Sequence, residues 1–319
     1  MSVLASWLAT PPPDAAVEIT PARVSAASLG QRRGSPVIQV YAVEALPPNA
    51  VTPALASHNI ANRAAVAATV RTVLDRLGTR PARIALVIPD ASAKVSLVRF
   101  EQMPSRRDDL DQLVRWQVRK SAPFAIDDAC VTYTPGVRVN GGGELVVVLA
   151  RRDVVREYED VCADAGVHAG VVDIATFSVL NLLLAAPHAP QGDWLAVHMR
   201  PEYTSIAIVR GRDLIFFRNR PEEEDNTLAD VVHQTSMYYQ DRLSGQGFVR
   251  VLLGGSGRAA GAVDQARREL EDRLGSAVEP IDPTAAVTVS DRIGVTADLM
   301  DVLAPLSGIL LRDRDDAAH

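Results

Sequence analysis

The spacing of apolar residues switches repeatedly along this chain between the patterns of strands and of helices. Ala15 to Leu29 and Pro36 to Leu46 both read as strands, and Gly30-Gln31-Arg32-Arg33-Gly34 between them suits a hairpin loop. From Arg63 to Leu77, the residues Val66, Val70, Val73, Leu74 and Leu77 recur at helical spacing, and Gly78 is placed to stop the helix. Arg83 to Ile88, RIALVI, is a continuous apolar run suited to a buried strand, closed by Pro89-Asp90. The opening is therefore predicted as β-β-α-β.

The next stretch combines a helix, an abrupt stop and a strand. Leu110, Leu113, Val114 and Val118 share one helical face, while Arg115, Arg119 and Lys120 project elsewhere. Pro123 disfavours helical geometry at Ala122, so the chain turns extended through Pro123-Phe124-Ala125 and enters a strand near Ala129. A hairpin follows, with Ala129 to Val139 and Glu144 to Ala150 about a loop at Asn140-Gly141-Gly142-Gly143. Then come a helix from Val154 to Ala165 ended by Gly166, a strand from Val167 to Ile174 and a helix from Phe177 to Leu184. Pro187 to Gly192 reads as a linker. Beyond it, Trp194 to Met199, Thr204 to Arg210 and Asp213 to Asn219 read as successive strands, followed by a helix from Thr227 to Leu243. Arg250 to Leu253 is a further buried strand, running into Gly254-Gly255-Ser256-Gly257, and a charged helix spans Ala259 to Leu274. The second half thus repeats the order of the first, strands before helices.

Composition narrows the function classes. At 319 residues the chain is long enough for two core-bearing lobes. With 33 basic and 39 acidic residues it carries no basic stripe, which argues against nucleic acid as a partner. Cys130 and Cys162 lack paired spacing and are expected as small buried hydrophobes in a reducing compartment. No apolar window is long enough to span a membrane, and the N-terminus lacks a secretory pattern, so the protein is expected to be neither secreted nor membrane-spanning. The short apolar segment Val3 to Ala9 is either a small docking anchor or a frayed end. There is no phosphate-binding Gly-x-x-x-x-Gly-Lys loop, no His-Glu-x-x-His and no Gly-x-Ser-x-Gly, so no catalytic residue and no metal site are assigned. His198 and His233 are expected at the surface or lining a cleft.

The helix bearing Trp116, the Pro123-Phe124 turn and the acidic pair Asp127-Asp128 before a strand resemble the PilM family of type IV pilus assembly proteins, part of the actin-like ATPase superfamily. The wording RRDVVREYEDVCADAGVHAGVVDI is similar to the exit from that family's inserted subdomain. The resemblance implies an α/β, actin-like (ribonuclease H-like) two-lobe fold. Residues 1–95 with 167–190 would form the first lobe, 96–166 a small inserted α+β subdomain, and 191–319 the second lobe.

Actin-like ATPases hold nucleotide between the lobes on two glycine-bearing hairpins and an adenosine loop, whose backbone N–H groups approach the phosphates. The matching positions here are Glu18-Ile19-Thr20-Pro21 and His198-Met199-Arg200-Pro201-Glu202. Pro21 has no N–H to donate, and side chains crowd the second loop. Arg200 is either a substitute phosphate binder or an exposed loop arginine. Gly254, Gly255, Ser256 and Gly257 alone keep the adenosine-type pattern, or else serve plain helix entry. Only Pro221 to Asn226 separates the last strand of the meander from its helix, which leaves the lid subdomain reduced or missing.

The resemblance therefore implies a degenerate member, a cytoplasmic scaffold at the inner face of the bacterial inner membrane. It would bind the cytoplasmic N-terminal peptide of a PilN-like membrane protein beside the insert, together with other platform or motor proteins, and homo-oligomerisation is left open. No cofactor is expected; ATP with magnesium through Glu18, Thr20, Arg200 and the glycine loop belongs to the alternative of a working ATPase. A second alternative is an analogue of the cytoplasmic domain of a type II secretion platform protein. Trp116 and Phe124 are the candidate partner anchors, or else seal the insert against its own sheet, as Tyr238-Tyr239 is expected to do in the second lobe.

Overall fold

The computed structural model describes residues 13–78, 80–139, 142–187, 191–222, 227–255, 261–291 and 293–312. The segment Val3 to Ala9, Ser256 and Gly257, and most of the acidic run after Pro221 lie outside the described residues.

The first lobe begins with an antiparallel meander of β1 (Ala15–Ile19), β2 (Arg23–Arg32) and β3 (Ser35–Ala45). The single strand expected from Ala15 to Leu29 is broken at Thr20-Pro21-Ala22, where Pro21 has no N–H for a ladder and the Thr20 N–H and hydroxyl both donate to the Arg23 carbonyl. The hairpin loop between β2 and β3 is also tighter than expected. Arg33 and Gly34 both have positive φ, 55° and 85°, the requirement of a two-residue primed turn.

The helix α1 (Arg63–Arg76) follows, capped by the Asn62 side chain accepting from Ala65 N–H, with Val66, Val70, Val73 and Leu74 buried. Next, β4 (Arg83–Ile88) pairs in parallel with β1. The chain then builds a separate sheet from β5 (Ala93–Phe100), β6 (Ala129–Val139) and β7 (Gly142–Arg151), with α2 (Arg107–Val118) against it. The strand β5 was not anticipated and crosses the expected boundary at residue 95/96. After α3 (Arg152–Asp164), β8 (His168–Ile174) pairs in parallel with β4, and α4 (Ala175–Ala185) follows.

The second lobe repeats this order. The meander β9 (Asp193–Met199), β10 (Tyr203–Arg210), β11 (Asp213–Pro221) leads to α5 (Leu228–Leu243). Then β12 (Arg250–Gly255) runs parallel to β9, and after α6 (Ala262–Leu274), β13 (Val278–Pro280) runs parallel to β12. The strand β11 ends at Pro221 and α5 starts at Leu228, a short interval in the sequence.

The C-terminal part returns to the first lobe, although sequence grouped it with the second. The strand β14 (Thr288–Val289) pairs with β3, and α7 (Ala297–Leu311) lays Leu299, Leu303, Leu306 and Ile309 on Ala16, Ala27, Ile38 and Val87. Each such buried aliphatic side chain contributes about 1.5–3 kcal/mol, which outweighs the interruption of the helix by Pro305. The result is five layers: α1 and α3, the first sheet, α4 and α7, the second sheet, then α5 and α6. The middle helices touch closely, since a Cβ on Gly308 of α7 would fall 1.7 Å from the Ser178 carbonyl of α4.

Candidate functional site

The equivalent turns of the two lobes face each other. Thr20-Pro21-Ala22 joins β1 to β2, Arg200-Pro201-Glu202 joins β9 to β10, and the cavity they enclose with Pro89 and Tyr203 is about 10 Å³, the room of about one water. Arg200 was expected either on a phosphate or exposed. It is instead 2% exposed, and its Nη2 bonds Glu18 Oε1 of β1, itself 1% exposed; Arg23 Nη2 lies 3.8 Å from the other Glu18 oxygen. Burial opposes the Arg200 charge, but the fields of Glu18, Tyr203, Asp90 and Asp301 outweigh it, so the guanidinium holds its proton more firmly than usual.

Beside this pair lies a polar network that the sequence reading missed. Asp90, immediately after β4, accepts from the Thr176 N–H at 2.9 Å and from the Ser205 hydroxyl at 2.5 Å, and the Thr176 hydroxyl also donates to it. Its own N–H donates to the Tyr203 hydroxyl at 3.1 Å, and Asn219 donates to Ser205 Oγ at 2.9 Å. Burial pushes the Asp90 carboxyl up, against the hydrogen bonds from Ser205 and Thr176 and the charge of Arg200. Because the Thr176 proton goes to Asp90, Thr176 Oγ1 accepts from His198 Nδ1 at 2.9 Å, which fixes the proton on Nδ1. His198 is therefore no surface residue: burial, with Arg200 nearby, holds its imidazole well below the usual range and neutral.

Gly254 and Gly255 lie on β12 itself, and their missing side chains are accounted for by packing. A Cβ on Gly254 would sit 2.9 Å from Ile281, and one on Gly255 would sit 2.7 Å from the Met199 carbonyl. Gly255 N–H donates to Asp301 of α7 at 3.2 Å, and burial raises the Asp301 carboxyl to about 6. Glu18, Thr20, Arg200, Gly254 and Gly255 thus gather at one junction, but as partners of the protein's own groups. Between these turns Arg200 fills the space and neither Pro21 nor Pro201 offers an N–H, while past Arg23, Gly255 and Asp301 a cavity of about 930 Å³ opens between the lobes, lined also by Val43, Arg267 and Ile281. Local signals for the missed residues existed: Asp90 ends an apolar strand, and Asp301 interrupts the apolar run LMDVLAPL.

A second cleft opens between the first lobe and the three-stranded insert. It has a volume of about 710 Å³, with Val146 and Val148 of β7, Val172 of β8 and Phe177 of α4 among its apolar walls. Glu159, Asn181 and Arg212 supply polar groups. The strands β8 and β6 end their sheets here, so both present edges among the described residues. Cys130, expected to be buried, is half-buried and lines this groove, whereas Cys162 is buried. Neither aromatic anchor reaches it. Phe124 packs on the insert's core with Val114 and Val118, and Trp116 stands 64% exposed on α2. In the second lobe Tyr239 is buried and stacks on Phe248, while Tyr238 is 47% exposed; His233 is half-buried.

The family model described as "Type IV pilus assembly protein PilM" matches residues 16–241. No curated protein matches the sequence. Among solved structures, the chain superposes on the "PilM-PilN type IV pilus biogenesis complex" with a TM-score of 0.81 at 18% identity, over 95% of this chain and 99% of that one. Looser matches are a Bacteroides thetaiotaomicron protein described as having an actin-like ATPase fold and unknown function (TM-score 0.48, 10% identity, 92% of this chain and 95% of that one) and the cytoplasmic domain of Vibrio cholerae EpsL, an inner-membrane component of the type II secretion system (0.47, 11%, 82% and 94%). The five-layer α/β architecture is the actin-like fold expected from the sequence.

Proposed function

Because this chain belongs to the PilM family of type IV pilus assembly proteins, we propose that it serves pilus assembly as a scaffold that grips a peptide and does not hydrolyse ATP. The peptide is the cytoplasmic N-terminal segment of a PilN-like membrane protein, and its seat is the groove between the first lobe and the insert. The observation that carries this reading is the groove itself: about 710 Å³ beside the edge strands β6 and β8, walled by Val146, Val148, Val172 and Phe177. An extended peptide there has two strand edges for backbone pairing and an apolar wall for alternate side chains.

The partner named with the solved PilM supports the choice of a PilN-like ligand. Among the described residues no helix is long and apolar enough to cross a membrane, so on this reading the protein works at the cytoplasmic face and reaches the membrane through its partner. Its working units are the first lobe, extended to include β14 and α7, the insert near 96–166, and the second lobe. Titration with the N-terminal peptide of a PilN-like protein from the same organism tests the reading. Saturable binding that is weakened by substitutions in the groove supports it; absence of binding overturns the peptide reading, and a melting shift on adding magnesium-ATP favours the ATPase alternative.

A further inference from the structure

In the junction between the lobes, one positive charge is surrounded by carboxylates from separate elements. Arg200 comes from the second lobe. Facing it are Glu18 on β1, Asp90 after β4 and Asp301 on α7, with Tyr203 on its own lobe and Arg23 as the other cation beside Glu18. Among the described residues no three acidic, histidine or cysteine groups are close enough together to hold a metal ion, so this acidic lining fits an extended guanidinium rather than a bare cation. Three further bonds cross between the lobes at the same level: Asp90 N–H to Tyr203, Ser205 to Asp90, and His198 to Thr176. Between the two turns the remaining space holds about one water; past Arg23, Gly255 and Asp301 a separate cavity of about 930 Å³ opens.

We propose that Arg200 is a built-in cation that occupies the place where an actin-like ATPase would bridge its lobes with phosphate and metal, so that the lobes of this protein stay closed without a ligand. The inference rests on the nucleotide-free part of the proposed function and is independent of which peptide fills the groove. A buried ion pair adds little net stability over an apolar filling, but losing or displacing one partner leaves the other as an unpaired buried charge, so the closed junction tolerates only the paired arrangement. Glu18 and Arg200 sit on different lobes, so the pair fixes how the lobes meet and closure fails when one of them is missing. Closure is thereby made a property of the sequence, where in a nucleotide switch it depends on what is bound.

The test is hydrogen exchange on the full chain. In Arg200→Ala, exchange at the ends of β1 and β9 is expected to rise about tenfold or more in both lobes together, with a melting temperature lower by roughly 5–10 °C. Millimolar methylguanidinium is expected to restore part of both. Should Arg200→Ala not fold, the neutral pair Glu18→Gln with Arg200→Gln decides. It keeps a hydrogen-bonding contact and is expected to fold with the same loss of cross-lobe protection. Wild-type protection in that double variant overturns the proposal, as does a wild-type protein whose cross-lobe protection increases on adding magnesium-ATP. Failure of the peptide reading would appear separately, as wild-type protein that does not bind the PilN-like peptide while its exchange follows the pattern above.

Discussion

The closed junction between the lobes and the open groove beside the insert share one helix. At the junction, Thr176 of α4 bonds Asp90 and His198 within a closed polar network; the next residue, Phe177, lines the open apolar groove beside the insert and packs edge-on against Phe217 at 5.5 Å. The junction is filled by side chains that bond across it, with Glu18 Oε2 buried without a hydrogen bond, 3.8 Å from Arg23 Nη2. The groove presents apolar surface and strand edges that remain unsatisfied until something is added. The two sites thus differ in the room they leave, about 10 Å³ between the turns against about 710 Å³ beside the insert.

The most severe change disturbs the junction and the groove together. Gly308→Val forces a side chain into the Ser178 carbonyl at the crossing of α7 and α4, and is expected to cost more than about 3 kcal/mol, read as loss of the folded protein on purification or in urea unfolding. Val148→Glu acts on the groove alone. This half-buried residue lines the apolar wall, and a carboxylate there is expected to weaken the PilN-like peptide about tenfold or more in a titration, while Arg200 variants leave that affinity within about threefold.

Asp301 sharpens the junction side through pH. Its folded value of about 6 lies above the ordinary 3.8, so between those two values the folded state binds more protons than the unfolded one and stability falls as pH rises. Asp301→Asn retains an acceptor for Gly255 N–H without the charge. It is expected to gain on the order of 1–2 kcal/mol over wild type at pH 7.5 and to lose that advantage near pH 4, by urea unfolding at both. The smallest effect is expected from Trp116→Ala. Exposed and distant from the groove lining, it should leave both stability (within about 0.5 kcal/mol) and peptide affinity unchanged; a large drop in affinity would move the binding site to the outer face of α2.

The strands and helices with strong periodicity were legible: the RIALVI strand, the Val66 to Leu77 stripe, the Pro123 stop and the meander after Trp194 all stand near their expected limits. The C-terminal elements were not, because β13 and β14 span only three and two residues and α7 is apolar nearly all round, so neither has the alternation that a pattern search detects. The departures from the phosphate-loop pattern at Pro21 and in the Arg200 turn were visible in the sequence. The pairing of Glu18 with Arg200 was not, since it spans 182 positions and depends on how the lobes meet. Burial of a charged residue is a property of its partner, and a local window does not contain the partner.

The insert is attached in a manner that bears on engineering. Its first and last strands, β5 and β7, are antiparallel neighbours, and Ala93 stands directly opposite Ala150 where the chain leaves and re-enters the lobe. Entry and exit therefore lie side by side, the arrangement of a cassette held at one hinge. Exchanging that cassette between relatives would transplant one wall of the groove while leaving the two-lobe body uncut.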